Sequence, residues 1–201
     1  MEERKNVYLS LHKSFVREGI PFTDVDTDDW FYDEVKYAYD NGLMDGVGNN
    51  LFAPETELTR GMIVTILWRL EGEPAGTSAA FDDVAEGQWY ADAVNWAAEN
   101  GIVDGYGDGT YRPEESITRE EMAVIMHRYA GYKGYDVSAS GDLSVFIDGS
   151  ETSSWAVEAM EWATGAGLIN GMGNNVLSPE GTTTRAQSAA ILMRFCESIA
   201  K

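Results

Sequence analysis

Phe22, Asp24, Trp30, Gly42, Gly46, Pro54 and Arg60 each return 59 positions later, as Phe81, Asp83, Trp89, Gly101, Gly105, Pro113 and Arg119. A third set follows at Phe146, Asp148, Trp155, Gly167, Gly171, Pro179 and Arg185, offset by 65 for the first two and by 66 from Trp155 on. One residue is therefore inserted between Asp148 and Trp155. Self-similarity of this kind marks units that bury their apolar faces by stacking on one another. It divides the 201-residue chain into a segment 1–20 and three repeats, 21–75, 80–135 and 143–201. The joining stretches, Glu71–Ala80 and Gly131–Asp142, are rich in Gly, Ala and Ser.

Each repeat reads as helix, loop, helix, so the expected fold is mainly α. The first helix is predicted over Trp30–Asn41, Trp89–Asn100 and Trp155–Ala166. The pairs Trp30/Tyr37, Trp89/Trp96 and Trp155/Trp162 are seven apart, which would put both rings on one helical face. Gly42, Gly101 and Gly167 follow as left-handed C-caps. A turn-rich loop comes next, and Leu51-Phe52, Thr110-Tyr111 and Val176-Leu177 read as very short strands ended by proline. The second helix begins at Thr59, Thr118 and Thr184. Thr118…Glu121 and Thr184…Gln187 fit a capping box, whereas Thr59 is followed by Met62 and has only half of one. In residues 1–20, Val7, Leu11 and Phe15 are spaced four apart and predict an extra amphipathic helix.

Arginine placement is the sharpest chemical signal. Residues 21–201 contain seven arginines, and six fall in two repeat columns: Arg60, Arg119 and Arg185, then Arg69, Arg128 and Arg194. The second column is predicted in the last helical turn, where the helix dipole favours a cation. The first follows the N-cap threonine, where the dipole disfavours one. A local rule broken in all three copies points to function, with a salt bridge as the structural alternative. Trp30, Trp89 and Trp155 stand at a helix start, either covering the core or offering a stacking face. Trp96 and Trp162 are core residues.

Other chemistries find little support. Asp24, Asp26 and Asp28 imitate a calcium loop, but Asp29 and Val35 stand where Gly and Glu are needed. Asp104, Asp108, Gly109 and Glu115 fit better, with Tyr106 as the fault, and the other repeats lack the pattern. Two histidines, His12 and His127, and one cysteine, Cys196, leave little for zinc or a Ser-His-Asp triad and exclude an intrachain disulfide. No carboxylate pair is singled out, so no enzyme, metal or cofactor is expected. The net charge of −20 disfavours nucleic acid as a partner, and no apolar run reaches the ~18 residues of a membrane span.

These residues resemble the S-layer homology domain, in three consecutive copies over about residues 22–199. The matching elements are Phe-x-Asp-Val at Phe22 and Phe81, Trp-x-x-x-x-Val/Met at Trp30, Trp89 and Trp155, the Gly-[Leu/Ile]…Gly-x-Gly-[Asn/Asp]…Pro stretch, and Thr-Arg. Repeat 1 departs at Thr59-Arg60-Gly61-Met62, and repeat 3 at Phe146-Ile147-Asp148-Gly149.

The resemblance implies a pseudo-threefold module with a central helical bundle and grooves between neighbouring repeats. It implies non-covalent anchoring at a bacterial cell surface by binding a secondary cell-wall polysaccharide, often bearing a pyruvate ketal. On that basis Arg60, Arg119 or Arg185 would meet the ketal carboxylate, with Arg119 and Arg185 favoured. Trp30, Trp89 or Trp155 would stack on a sugar, and Asp24, Asp83 and Asp148 would accept from hydroxyls or cap their loops. Gly46, Gly105 and Gly171 would admit a ring close to the backbone.

The alternative is a protein-interaction module that keeps the scaffold without the glycan, with a partner held through residues 1–20. The charged start, Met1-Glu2-Glu3-Arg4-Lys5, is followed by no signal-peptide core. The expectation is a fragment of an exported protein, or a cytoplasmic one if the chain is whole.

Overall fold

The computed structural model describes residues 19–75 and 80–200. The helix expected in residues 1–20, and the partner assigned to it, lie outside the described residues but for Gly19 and Ile20. The described part is mainly helical: α1 Tyr32–Asp40, α2 Arg60–Leu70, α3 Ala91–Glu99, α4 Arg119–Lys133, α5 Val157–Gly165 and α6 Arg185–Ser198. Two short 3₁₀ turns, Leu143–Val145 and Gly149–Glu151, fill the stretch around the insertion.

The helix ends follow their local chemistry. Thr59 and Thr118 cap α2 and α4, and Thr118 and Glu121 form the full capping box. Thr184 and Gln187 exchange the same pair of bonds. Thr59 accepts from the Met62 N–H alone. At the other end, Gly42, Gly101 and Gly167 take φ of 66°, 69° and 71°. The next residues, Leu43, Ile102 and Leu168, donate back to Ala38, Ala97 and Ala163, closing a Schellman motif three times.

Four expectations need correction. The first helix of each repeat starts two residues later than predicted, so Trp30, Trp89 and Trp155 precede it in a turn and share no helical face with Tyr37, Trp96 and Trp162. No strand forms among the described residues; three isolated bridges stand instead. The reason is at Ala53, Arg112 and Ser178, each just before a proline, which take φ of 58°, 58° and 56° and end any extended run. Helix α4 runs on through Gly131–Lys133, within the expected linker, and ends on the left-handed Gly134. Arg128 and Arg194 consequently lie upstream of the last turn of α4 and α6.

The described chain forms two compact units. One comprises the residues up to Thr56 with Thr184–Met193. Its core includes Phe31, Val35, Ala38, Phe52 and Leu192, all buried. The other comprises Glu57–Thr183 with the described residues from Arg194 on. In it α2 packs on α3, α4 packs on α5, and α2 also meets α4. There, equivalent residues of the three repeats meet at one point. Leu58 N–H donates to Thr183 O (2.8 Å), Ile117 N–H to Leu58 O (2.9 Å) and Thr183 N–H to Ile117 O (3.1 Å). Beside them the Glu57 carboxylate accepts from the hydroxyls of Ser116 (2.5 Å) and Thr182 (2.6 Å). These bonds hold its pKa below the ordinary glutamate value.

Candidate functional site

The first arginine column is buried. Arg60, Arg119 and Arg185 are 6%, 4% and 5% exposed. Each Nε donates to a carbonyl in another repeat: Arg60 to Tyr111 O (2.9 Å), Arg119 to Leu177 O (2.8 Å) and Arg185 to Phe52 O (2.8 Å). The order runs from repeat 1 to 2, from 2 to 3 and from 3 to 1. A second donor completes each grip. Arg119 Nη2 reaches Asn170 O (2.5 Å) and Arg185 Nη2 reaches Asp45 O (2.6 Å). Arg60 Nη1 instead meets the Glu121 carboxylate at 2.6 Å. Burial pulls the pKa of Arg119 and Arg185 below the ordinary arginine value, against the through-space pull of Asp148 on Arg119 and of Asp24 and Asp45 on Arg185.

The carbonyls that these arginines grip are set by the repeat-leading aspartates. Asp24 accepts from the N–H groups of Phe52 and Ala53, Asp83 from Tyr111 and Arg112, and Asp148 from Leu177 and Ser178, at 2.7–2.8 Å. Each carboxylate thus fixes the left-handed residue before the proline. Gly46, Gly105 and Gly171 lie against the ring of Phe22, Phe81 or Phe146. A Cβ there would come within 2.6 Å, 2.5 Å and 3.0 Å of that ring. The missing Cβ thus makes room for a phenylalanine of the same repeat.

Trp30, Trp89 and Trp155 are 60%, 55% and 59% exposed, whereas Trp96 and Trp162 are buried. In the second unit a cavity of about 410 Å³ brings Trp155 together with Arg60 and Gly105. One predicted site residue thus comes from each repeat. Asp104, Tyr106, Glu121 and Arg128 complete its polar lining over the apolar Ile102, Val103 and Ile125. Arg128 Nη2 pairs with Asp104 Oδ2 at 2.7 Å. Tyr106 Oη donates to Glu121 Oε1 (2.7 Å), the same oxygen that Arg60 meets. The Tyr106 ring lies between two guanidiniums, 4.6 Å from Arg60 and 4.0 Å from Arg112. Burial and the Glu121 carboxylate push its pKa up to about 12, so near neutral pH it remains a donor.

Sequence reasoning missed Arg128, Tyr106 and Glu121 as site residues. In the sequence Arg128 answers to helix-end electrostatics, Tyr106 stands only as the fault in a calcium pattern, and Glu121 completes a capping box. For Tyr106 and Glu121 the signal is departure from the repeat: equivalent positions hold Val47 and Met172 for Tyr106, and Met62 and Gln187 for Glu121, whereas Arg128 matches Arg69 and Arg194 and carries no such signal.

A family model described as the S-layer homology domain matches residues 21–61, 80–123 and 146–189. The chain is 34% identical over 181 residues to an amylopullulanase of Thermoanaerobacterium thermosulfurigenes, covering 88% of this chain and 9% of that protein. It is 32% identical over 184 residues to the exoglucanase XynX of Acetivibrio thermocellus (90% and 17%). A cellulosome-anchoring protein of Acetivibrio thermocellus is 29% identical over 160 residues (77% and 35%). The chain therefore spans a minor part of the curated relatives it matches.

Proposed function

The chain belongs to the S-layer homology domain family, and from that premise we propose that it anchors a protein non-covalently to a bacterial cell wall by binding an anionic, pyruvylated polysaccharide. It acts as a binding module rather than as a catalyst; the enzymes among its relatives match it over a small fraction of their length. Anchoring is also what the name of the cellulosome-anchoring relative describes.

The observation that carries the reading is the exposure of Trp30, Trp89 and Trp155. A tryptophan more than half exposed at the same position in all three repeats keeps a face open to solvent, even where its ring packs edge-on against a buried neighbour, Trp30 with Phe31 and Trp89 with Tyr90, and a flat indole is a surface on which a sugar ring stacks. Arg119 and Arg185 support the anionic part. Both guanidiniums are desolvated and bonded to backbone carbonyls, so a ligand carboxylate would restore the stability that burial removes from the charged form.

The test is retention of the purified protein on wall stripped of its own proteins, with and without acid removal of pyruvate, at low and high salt. Retention that needs the ketal, weakens with salt and is lost in Trp89→Ala or Arg119→Ala supports the reading. Absence of retention on walls of several bacteria sinks it.

A further inference from the structure

We propose that Asn170–Gly171 is a deamidation site, primed by Arg119, whose main product is isoaspartate. The chain holds three Asn-Gly pairs, beginning at Asn41, Asn100 and Asn170. Glycine has no Cβ to shield its nitrogen. In each pair that nitrogen is sterically open to attack the preceding side-chain amide.

Two of the pairs are held out of reaction. The Asn41 amide donates to Tyr37 O and the Asn100 amide to Trp96 O, both at 2.8 Å. The N–H groups of Gly42 and Gly101 donate to Tyr39 O and Ala98 O, both at 3.1 Å. Nucleophile and electrophile are thus both tied to the end of a helix. Asn170 and Gly171 are exposed instead. Among the described residues, neither the Asn170 side-chain amide nor the Gly171 N–H meets a hydrogen-bond partner.

Arg119 adds a chemical push. Its Nη2 donates to Asn170 O at 2.5 Å, and that carbonyl belongs to the same peptide group as the Gly171 N–H. The guanidinium, 4% exposed, polarises this group through a charge-assisted bond in a desolvated place. The Gly171 N–H becomes more acidic and loses its proton to hydroxide. The nitrogen then bonds to Asn170 Cγ, the Cγ–Nδ2 bond breaks and, with a proton from water, ammonia leaves. Water opens the resulting succinimide at either carbonyl. Arg119 polarises the main-chain one, so attack there predominates. The Gly171 nitrogen then stays on Cγ, and the former main-chain carbonyl becomes a free carboxylate at the guanidinium. Opening at Cγ gives aspartate, which repeats 1 and 2 already hold as Asp45 and Asp104. The isoaspartyl carboxylate takes the place of a ligand anion on Arg119. On the anchoring reading, on which this consequence alone rests, deamidation therefore weakens binding.

The test ages the full chain at pH 7 and pH 9, folded and in urea. Mass spectrometry with fragmentation that tells isoaspartate from aspartate then maps the three asparagines. In the folded chain Asn170 is expected to convert at least tenfold faster than Asn41 and Asn100, and faster at pH 9. Its ratio of isoaspartate to aspartate should exceed that in urea. Arg119→Gln should slow conversion at Asn170 at least threefold, with Asn41 and Asn100 still protected as the sign that the variant is folded. Where it is not, the isoaspartate ratio of the unaltered chain decides the part of Arg119. The isoaspartyl chain should bind stripped wall at least threefold more weakly than Asn170→Gln aged beside it. Conversion of all three asparagines at one rate in the folded chain overturns the proposal. A ratio no higher than in urea, or an unchanged rate in folded Arg119→Gln, overturns the priming by Arg119. Undiminished retention of the isoaspartyl chain overturns the block. Failure of the fresh chain to be retained would instead overturn the anchoring reading and leave the mapped site standing.

Discussion

Arg60 and Glu121, on the first turns of helices from different repeats, meet at 2.6 Å with 7% and 14% of their side chains exposed. Glu121 is at once the N3 residue of the α4 capping box and the counter-ion of an arginine at the N-terminus of α2. The carboxylate answers a cation that the α2 dipole would otherwise oppose. A bond that ties one repeat to the next is thus built from two residues whose local duties are to start helices.

Removing that carboxylate should be costly. Glu121→Ala strands a buried guanidinium, a tyrosine hydroxyl and the Thr118 N–H together. The expected loss is about 3 kcal/mol, the scale for breaking a buried pair from one side. Glu121→Gln keeps an acceptor for the cap and should lose about 1 kcal/mol. Urea unfolding of both variants at neutral pH checks the difference.

Gly105→Ala tests the packing beneath the groove. Its φ is +69°, and a Cβ would meet the Phe81 ring and Thr110 O, both at 2.5 Å. Left-handed strain and overpacking together predict a loss of about 3 kcal/mol. Gly107→Ala, at φ +77° with nothing within 4 Å, carries the strain alone and should cost about 1 kcal/mol. Equal losses in the two variants would show that Phe81 yields.

What the sequence made legible is what local chemistry decides. Thr118 with Glu121, and Gly101 with Ile102, act within a few residues, and both are found as expected. Trp155 was legible as a possible stacking face because its repeat position stands at a helix start. The meeting of Arg60, Gly105 and Trp155 was not, since each comes from a different repeat and no spacing within one repeat encodes it. For Asp83 the sequence leaves two roles open, acceptor for a ligand hydroxyl or cap of its own loop. Its carboxylate closes on the N–H groups of Tyr111 and Arg112, 28 and 29 residues away, a reach that no local spacing encodes. The same closure bends the chain where strands were expected.

The third of these clamps should appear in the acid limb of stability. Bonds from Leu177 and Ser178 hold the Asp148 pKa below the ordinary carboxylate value. A depressed folded pKa stabilises the fold above the unfolded value, ~3.9. That contribution is lost as pH falls through the lower folded value. Asp148→Asn cannot titrate and should flatten this part of the curve. The denaturant midpoint, followed from pH 6 to pH 2 in both proteins, reads the effect; parallel curves would exclude Asp148 as a contributor.

Thr183 predicts a change of the opposite sign. Its backbone joins Leu58 and Ile117 in the hydrogen-bonded triangle, and those two side chains are fully buried and apolar. Thr183 is equally buried, but its hydroxyl has no hydrogen-bond partner. A buried hydroxyl without a partner costs on the order of 1–3 kcal/mol. Valine has nearly the same shape and, contributing the same backbone N–H and carbonyl, leaves the triangle intact. Thr183→Val should therefore raise stability by about 1 kcal/mol, a rise of about 2–4 °C in Tm for a chain of this size. Thr182→Val, one residue away, removes a hydroxyl that donates to Glu57 and should stabilise nothing. Calorimetry on the two variants separates the orphaned hydroxyl from a general preference for valine at this junction. If Thr183→Val lowers Tm, the hydroxyl has a partner in solution and the triangle depends on it.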